Sequence, residues 1–158
     1  YQLYNISLAI CISNYFKIPK RKIKLAIESY IAKDNRSEII ETNHNVIILD
    51  AYNANPSSMK AMLDSFAEQD YKHKLCILGD MLEMGKFSNK EHAKIIAACQ
   101  KLKLEALFVG TEFSKISNNA FKDLADLKKF IKLHPIKNKT ILLKGSRGIG
   151  LESLINYL

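Results

Sequence analysis

The chain has 158 residues, a formal net charge of +8, and 47% hydrophobic against 25% charged residues. That length supports one domain with its own core, and that balance excludes a disordered chain. No apolar run reaches the roughly 18 residues that span a bilayer, so no membrane insertion is expected.

Of the 24 basic residues 21 are lysines, spread along the chain, and arginine appears only as Arg21, Arg36 and Arg147. Nucleic-acid binding favours arginine and aromatics clustered on one face, so a solvated Lys-rich surface is expected instead. Cys11, Cys76 and Cys99 are far apart and form no Cys-x-x-Cys pair. They read as reduced core residues of a cytoplasmic protein, not as a disulfide framework or zinc site. The chain opens on Tyr1 without a secretory pattern, and a longer natural protein is expected.

In chain order, residues 5–17 read as a largely apolar helix. Pro19 suits the first turn of a second helix, in which Ile23, Ile27 and Ile31 recur every four positions. The polar stretch 33–37 follows, and a domain boundary is expected near residue 35. Residues 37–42 and 46–50 then read as strands joined by the turn 43–45. Asn55-Pro56 is a helix-start signal for a helix over about 56–69. Residues 75–78 form a buried strand ended by Gly79, and Ser88 to Glu91 has the capping-box pattern for a helix to about residue 103. A strand over 106–109, a helix over about 123–133, a strand over 140–143 and a Gly-rich turn before a last short helix complete the pattern. Alternating helices and continuously apolar strands predict an α/β fold. The expected sheet is open, mostly parallel and covered by helices on both faces, with room for one antiparallel edge strand, and preceded by two helices.

Ligands of such sheets bind at the carboxyl ends of the strands. There the sequence places 50–55, 79–83, 110–112 and 144–147, which would gather Asp50, Asp80, Glu83, Lys144 and Arg147 around one cleft. The Lys144-Gly145-Ser146-Arg147 turn reads equally well as an anion site and as a tight turn with two solvated cations. The P-loop pattern Gly-x-x-x-x-Gly-Lys-Ser/Thr is missing, and the last turn has the wrong spacing for a dinucleotide fingerprint. The four histidines show no metal spacing, so no metal ligands are expected; His92 reads as a surface or capping residue. No catalytic residue is assigned.

Four phrases carry a family resemblance: Asn35-Arg36-Ser37-Glu38, the stretch from Leu49 to Met59 around Tyr52-Asn53-Ala54-Asn55-Pro56, Gly79-Asp80-Met81-Leu82-Glu83-Met84-Gly85, and Lys144-Gly145-Ser146-Arg147. In order and spacing they resemble the Mur ligases, in the branch that adds D-alanyl-D-alanine. The resemblance implies a Rossmann-like C-terminal domain over 35–158, with 1–34 as the last helices of a central ATPase domain. It also implies a monomeric, ATP-dependent amide ligase using Mg2+, most of it held by that central domain. Its substrates would be ATP, a UDP-N-acetylmuramoyl-tripeptide and D-alanyl-D-alanine: the tripeptide carboxylate becomes an acyl phosphate, which the dipeptide amine attacks. Arg36 matches the family arginine that reaches the ATP phosphates, and Asp50 the acid that holds the ribose hydroxyls. By the same resemblance Tyr52, Asn53 and Asn55 would border the nucleotide, and Asn5 would contact it from the preceding domain. Lys144, Ser146 and Arg147 match the segment facing the dipeptide, with Asp80 and Glu83 on the adjacent loop. Leu8 stands where the family carries a second asparagine three residues after the one matching Asn5. The other readings are a folylpolyglutamate-type or other Mur ligase domain, and a non-catalytic nucleotide- or anion-binding module.

Overall fold

The computed structural model describes residues 2–158. The chain divides into two compact units, Tyr1–Ala32 and Lys33–Leu158. In the first, α1 (Gln2–Tyr15) and α2 (Lys20–Glu28) pair, and Pro19 sits at the N-cap of α2. The chain leaves α1 through Lys17 at φ 56°, a left-handed residue that ends the helix earlier than the sequence pattern. Ile23 is buried, whereas Ile31 lies beyond the end of α2 and is exposed. Leu3, Tyr4, Leu8, Ile12 and Tyr15 leave α1 apolar and largely exposed on several sides.

The second unit is built on a six-stranded sheet of order β1-β2-β6-β3-β4-β5. Its strands are β1 (Glu38–Glu41), β2 (Val46–Asp50), β3 (Lys74–Gly79), β4 (Glu105–Val109), β5 (Ala120–Phe121) and β6 (Thr140–Lys144). All neighbours are parallel except β1, which pairs antiparallel with β2 at the edge. The two-residue β5 and the four-residue helix α5 (Thr111–Ser114) are too short to announce themselves in the sequence pattern.

The parallel strands are apolar on both faces because both faces are covered. Cys76, Leu78, Phe108 and Leu142 point into one core with Met59, Leu63 and Phe66 of α3 (Pro56–Glu68) and Ile95 and Cys99 of α4 (Ser88–Lys101). Leu75, Ile77, Ile141 and Leu143 point into the other, against Leu127 and Ile131 of α6 (Leu124–Leu133) and Leu151, Leu154 and Leu158. Cys76 and Cys99 thus fill the core, but Cys11 is exposed, contrary to expectation.

Local signals explain two helix starts. Asn55 caps α3 by accepting from Ser58 N at 2.9 Å, with Pro56 at the first position. Asp123 caps α6 through Asp126 N. The expected capping box at Ser88 does not form, because the Ser88 hydroxyl donates to Glu112 at 2.6 Å. The last segment, Leu151–Tyr157, is 3-10 helix rather than α-helix, which weakens the dipole argument for an anion at its start.

The crossover α3 leaves β2 on one face, and the final helical segment leaves β6 on the other. In sheets of this kind such a divergence marks where ligands bind, here at the carboxyl ends of the neighbouring strands β2, β6 and β3.

Candidate functional site

Asp50 and Lys144 are the last residues of β2 and β6 and are partners in the parallel register. Their side chains therefore emerge on the same face, one strand apart. Lys144 Nζ lies 2.6 Å from Asp50 Oδ2, with side-chain exposures of only 2% and 5%. Nζ also approaches the Asn53 carbonyl at 3.4 Å, and Ser37 N donates to Asp50 Oδ1 at 3.2 Å. Lys144 is accordingly a buried tie between strands and not a solvated cation. Burying such a pair is tolerable only because each partner has the other and further hydrogen bonds.

The segment before β1 turns sharply: Asp34, Asn35 and Ser37 all have φ near +58°. Asp and Asn tolerate this region, but a serine there is strained and must be held by its surroundings. Hydrogen bonds from Ser37 N to Asp50 and from Tyr52 N to Asn35 O at 3.1 Å tie the turn to the end of β2 and the loop after it. The result lays the Arg36 guanidinium on the Tyr52 ring, Cζ 3.7 Å from its centroid. Arg147, from the loop after β6, approaches the same ring at 5.4 Å. Both arginines are exposed, and among the described residues no carboxylate pairs with either. Two guanidinium groups drawn to one aromatic ring at the strand ends have the chemistry to pair with anions.

The loop after β3 is fixed amide by amide. Asp80 N donates to Val109 O at 2.9 Å, Met81 N to His92 Nε2 at 3.0 Å, and Leu82 N to Ser146 Oγ at 2.9 Å. Ser146 N donates back to Asp80 O at 3.1 Å. Asp80 itself is buried, and its carboxylate accepts from Glu112 N at 2.8 Å and Phe113 N at 3.0 Å, capping α5. Gly110 must be glycine at this point. Its φ is 129°, and a Cβ would fall 2.2 Å from the Asp80 carboxyl group. Past this scaffold the chain reaches Glu83, exposed and left-handed at φ 65°.

His92 corrects the sequence reading. It is fully buried, edge-on to the Phe113 ring at 4.5 Å between centroids. Nε2 accepts the Met81 amide, so Nδ1 carries the proton and donates to Ser88 O at 2.8 Å. The missed signal was periodic: His92, Ile95 and Cys99 lie on the buried stripe of α4. Ser88 and Lys115, both hydrogen-bonded to Glu112, hold its carboxyl below the usual carboxylate range, Lys115 contributing most.

The structure thus brings together Arg36, Tyr52 and Arg147 on the exposed rim, with Asp50, Lys144, Asp80 and Ser146 as buried supports. Asn53 Oδ1 accepts from Ala54 N, and Asn55 is occupied as the helix cap. Asn5 lies exposed on α1, in the other compact unit.

The family model "Mur ligase, glutamate ligase domain" matches residues 35–147. The UDP-N-acetylmuramoyl-tripeptide–D-alanyl-D-alanine ligase of Rickettsia prowazekii is 33% identical over 131 residues, covering 77% of this chain and 29% of that protein. The enzyme of that name from Bacillus subtilis is 29% identical over 172 positions, covering 100% and 38%. Among solved structures, MurF from Acinetobacter baumannii matches with a TM-score of 0.83 at 26% identity, over 98% of this chain and 36% of that one. MurF from Thermotoga maritima, in complex with ADP, has a TM-score of 0.81 at 22% identity over 99% and 37%, a likeness of fold. The chain spans about a third of the length of the curated relatives it matches.

Proposed function

We infer the function from one premise: this chain belongs to the Mur ligase family, through the glutamate ligase domain matched over residues 35–147. We propose that it is the C-terminal domain of an ATP-dependent amide ligase. That ligase would add D-alanyl-D-alanine to a UDP-N-acetylmuramoyl-tripeptide in peptidoglycan precursor synthesis. Residues 1–34 are then the last helices of a central ATPase domain, which the exposed apolar side chains of α1 support. The protein would be a cytoplasmic monomer. Among the described residues, no helix is long and apolar enough to cross a membrane.

The observation that carries the proposal is the pair of exposed arginines on Tyr52, at the carboxyl ends of β2 and β6, with no carboxylate partner among the described residues. Two anionic groups need such cations, the phosphates of ATP and the carboxylate of the dipeptide. Arg36 would take the phosphates and Arg147 the carboxylate, while Glu83 borders the dipeptide. Tyr52 and Asn53 would border the nucleotide, whose ribose would meet Asp50. ATP fits the exposed guanidinium of Arg36. Mg2+, where the full-length ligase uses it, would be held mostly by the central domain.

The test is steady-state kinetics of the full-length ligase. A charge-assisted hydrogen bond of about 1.5–3 kcal/mol corresponds to roughly ten- to hundredfold in binding. Arg147→Ala should raise the KM for D-alanyl-D-alanine by at least about tenfold, with little change for ATP; Arg36→Ala should do the reverse. An equal loss on both substrates from Arg147→Ala would remove its assignment. A full-length protein without ATP-dependent ligation would remove the whole reading.

A further inference from the structure

Leu82 is 43% exposed on the strand-end rim, although the two residues before it, Asp80 and Met81, are each only 1% exposed. Its position is fixed, because its amide is bonded to Ser146 Oγ at 2.9 Å. A Cβ added to Gly148 would fall 2.8 Å from Leu82 Cδ1, so the leucine lies along the backbone just after Arg147. Two loops therefore place an apolar side chain against Gly148, the residue next to Arg147, whose guanidinium is exposed and has no described carboxylate partner.

Single exposed leucines are ordinary on protein surfaces. This one differs in being held by a hydrogen bond between loops and in lying against a glycine whose side chain would displace it. Arginine supplies a carboxylate reader and a leucine packed on the next residue an apolar contact, which is the chemistry of an amino acid with a small apolar side chain.

We propose that Leu82 is a specificity-determining residue that covers the short C-terminal side chain of the peptide whose carboxylate Arg147 holds. This rests on the reading above in which Arg147 faces the incoming dipeptide. A methyl group against leucine is favoured over hydrogen, and larger side chains collide with it. Gly148 keeps the backbone low enough for the leucine to lie there. Discrimination by one or a few carbons in an apolar contact is modest, of order ten- to two-hundredfold.

The experiment compares kcat/KM of the full-length ligase for D-alanyl-glycine, D-alanyl-D-alanine and D-alanyl-D-leucine in wild type, Leu82→Ala and Gly148→Ala. Leu82→Ala should lower the preference for D-alanyl-D-alanine over D-alanyl-glycine at least about threefold. It should also raise use of D-alanyl-D-leucine at least about fivefold, leaving the KM for ATP within about twofold. Gly148 has no left-handed φ and its added methyl meets only a flexible side-chain end, so Gly148→Ala should fold and shift the same ratios by moving the leucine. Should Leu82→Ala lose its thermal transition, the ratios of Gly148→Ala decide alone. Unchanged ratios, or changes that ATP kinetics share equally, overturn the proposal. Unchanged ratios together with an intact Arg147→Ala effect on the dipeptide remove only the role of Leu82. An Arg147→Ala enzyme with normal dipeptide kinetics removes the reading on which it rests, and the proposal with it.

Discussion

Lys144→Met removes the cation from the buried pair with Asp50 while keeping a side chain of similar length. The wild-type pair is close, 2.6 Å, and almost fully sheltered from water. Losing one partner of such a pair costs about 3–5 kcal/mol, because the remaining charge is left desolvated. Asp50 retains the Ser37 amide, which argues for the lower end, about 3 kcal/mol. At roughly 2–4 °C per kcal/mol for a chain of this size, Tm should fall by about 6–12 °C. Urea unfolding should show the same loss as a lower midpoint with an unchanged slope. The double variant Asp50→Asn/Lys144→Met leaves neither charge of the pair buried and should recover a substantial part of that loss. A fall of less than about 1 kcal/mol in Lys144→Met, the range of surface pairs, would refute the reasoning. ATP kinetics then separate two roles of Asp50. A direct ribose contact makes Asp50→Asn raise the KM for ATP beyond the effect of Lys144→Met, whereas equal effects mean that Asp50 acts only through the pair.

Gly110→Ala should destabilise by about 2–4 kcal/mol, combining left-handed strain with displacement of the Asp80 cap, and a loss below about 1 kcal/mol in urea unfolding would contradict it. His92→Leu leaves the buried Met81 amide without an acceptor. It should cost about 1–3 kcal/mol and speed hydrogen exchange across 80–82, so unchanged exchange there would show that the histidine does not hold the loop. Burial pushes the Cys99 thiol up to about 12 and Cys76 higher still. Both should therefore resist alkylation at pH 8 until denaturant is added, and rapid labelling of the native protein at either position would refute this.

The parts of the fold that the sequence announced are those with local causes. Strands β2, β3, β4 and β6 are buried on both faces, so each shows as an apolar run whatever its neighbours. Asn55 and Pro56 start α3 within four residues of chain. Elements whose stabilising partner lies far away stayed hidden. The cap of α5 is Asp80, more than thirty residues upstream, and the Ser88 hydroxyl is diverted from its own helix to Glu112.

The same distinction governs the site. Clustering of Asp50, Asp80, Lys144 and Arg147 at one edge followed from parallel strands alone, but their individual states depend on register and packing. Lys144 meets Asp50 across 94 positions of sequence because β6 inserts beside β2, and that pairing removes from the rim a charge that sequence had placed there. Arg36 and Arg147 lie at the same strand edge and have no such partner among the described residues, so the cationic character of the strand ends falls to them. Charge type could be read from the residues; which charges face solvent was decided by strand order, and strand order has no local signature.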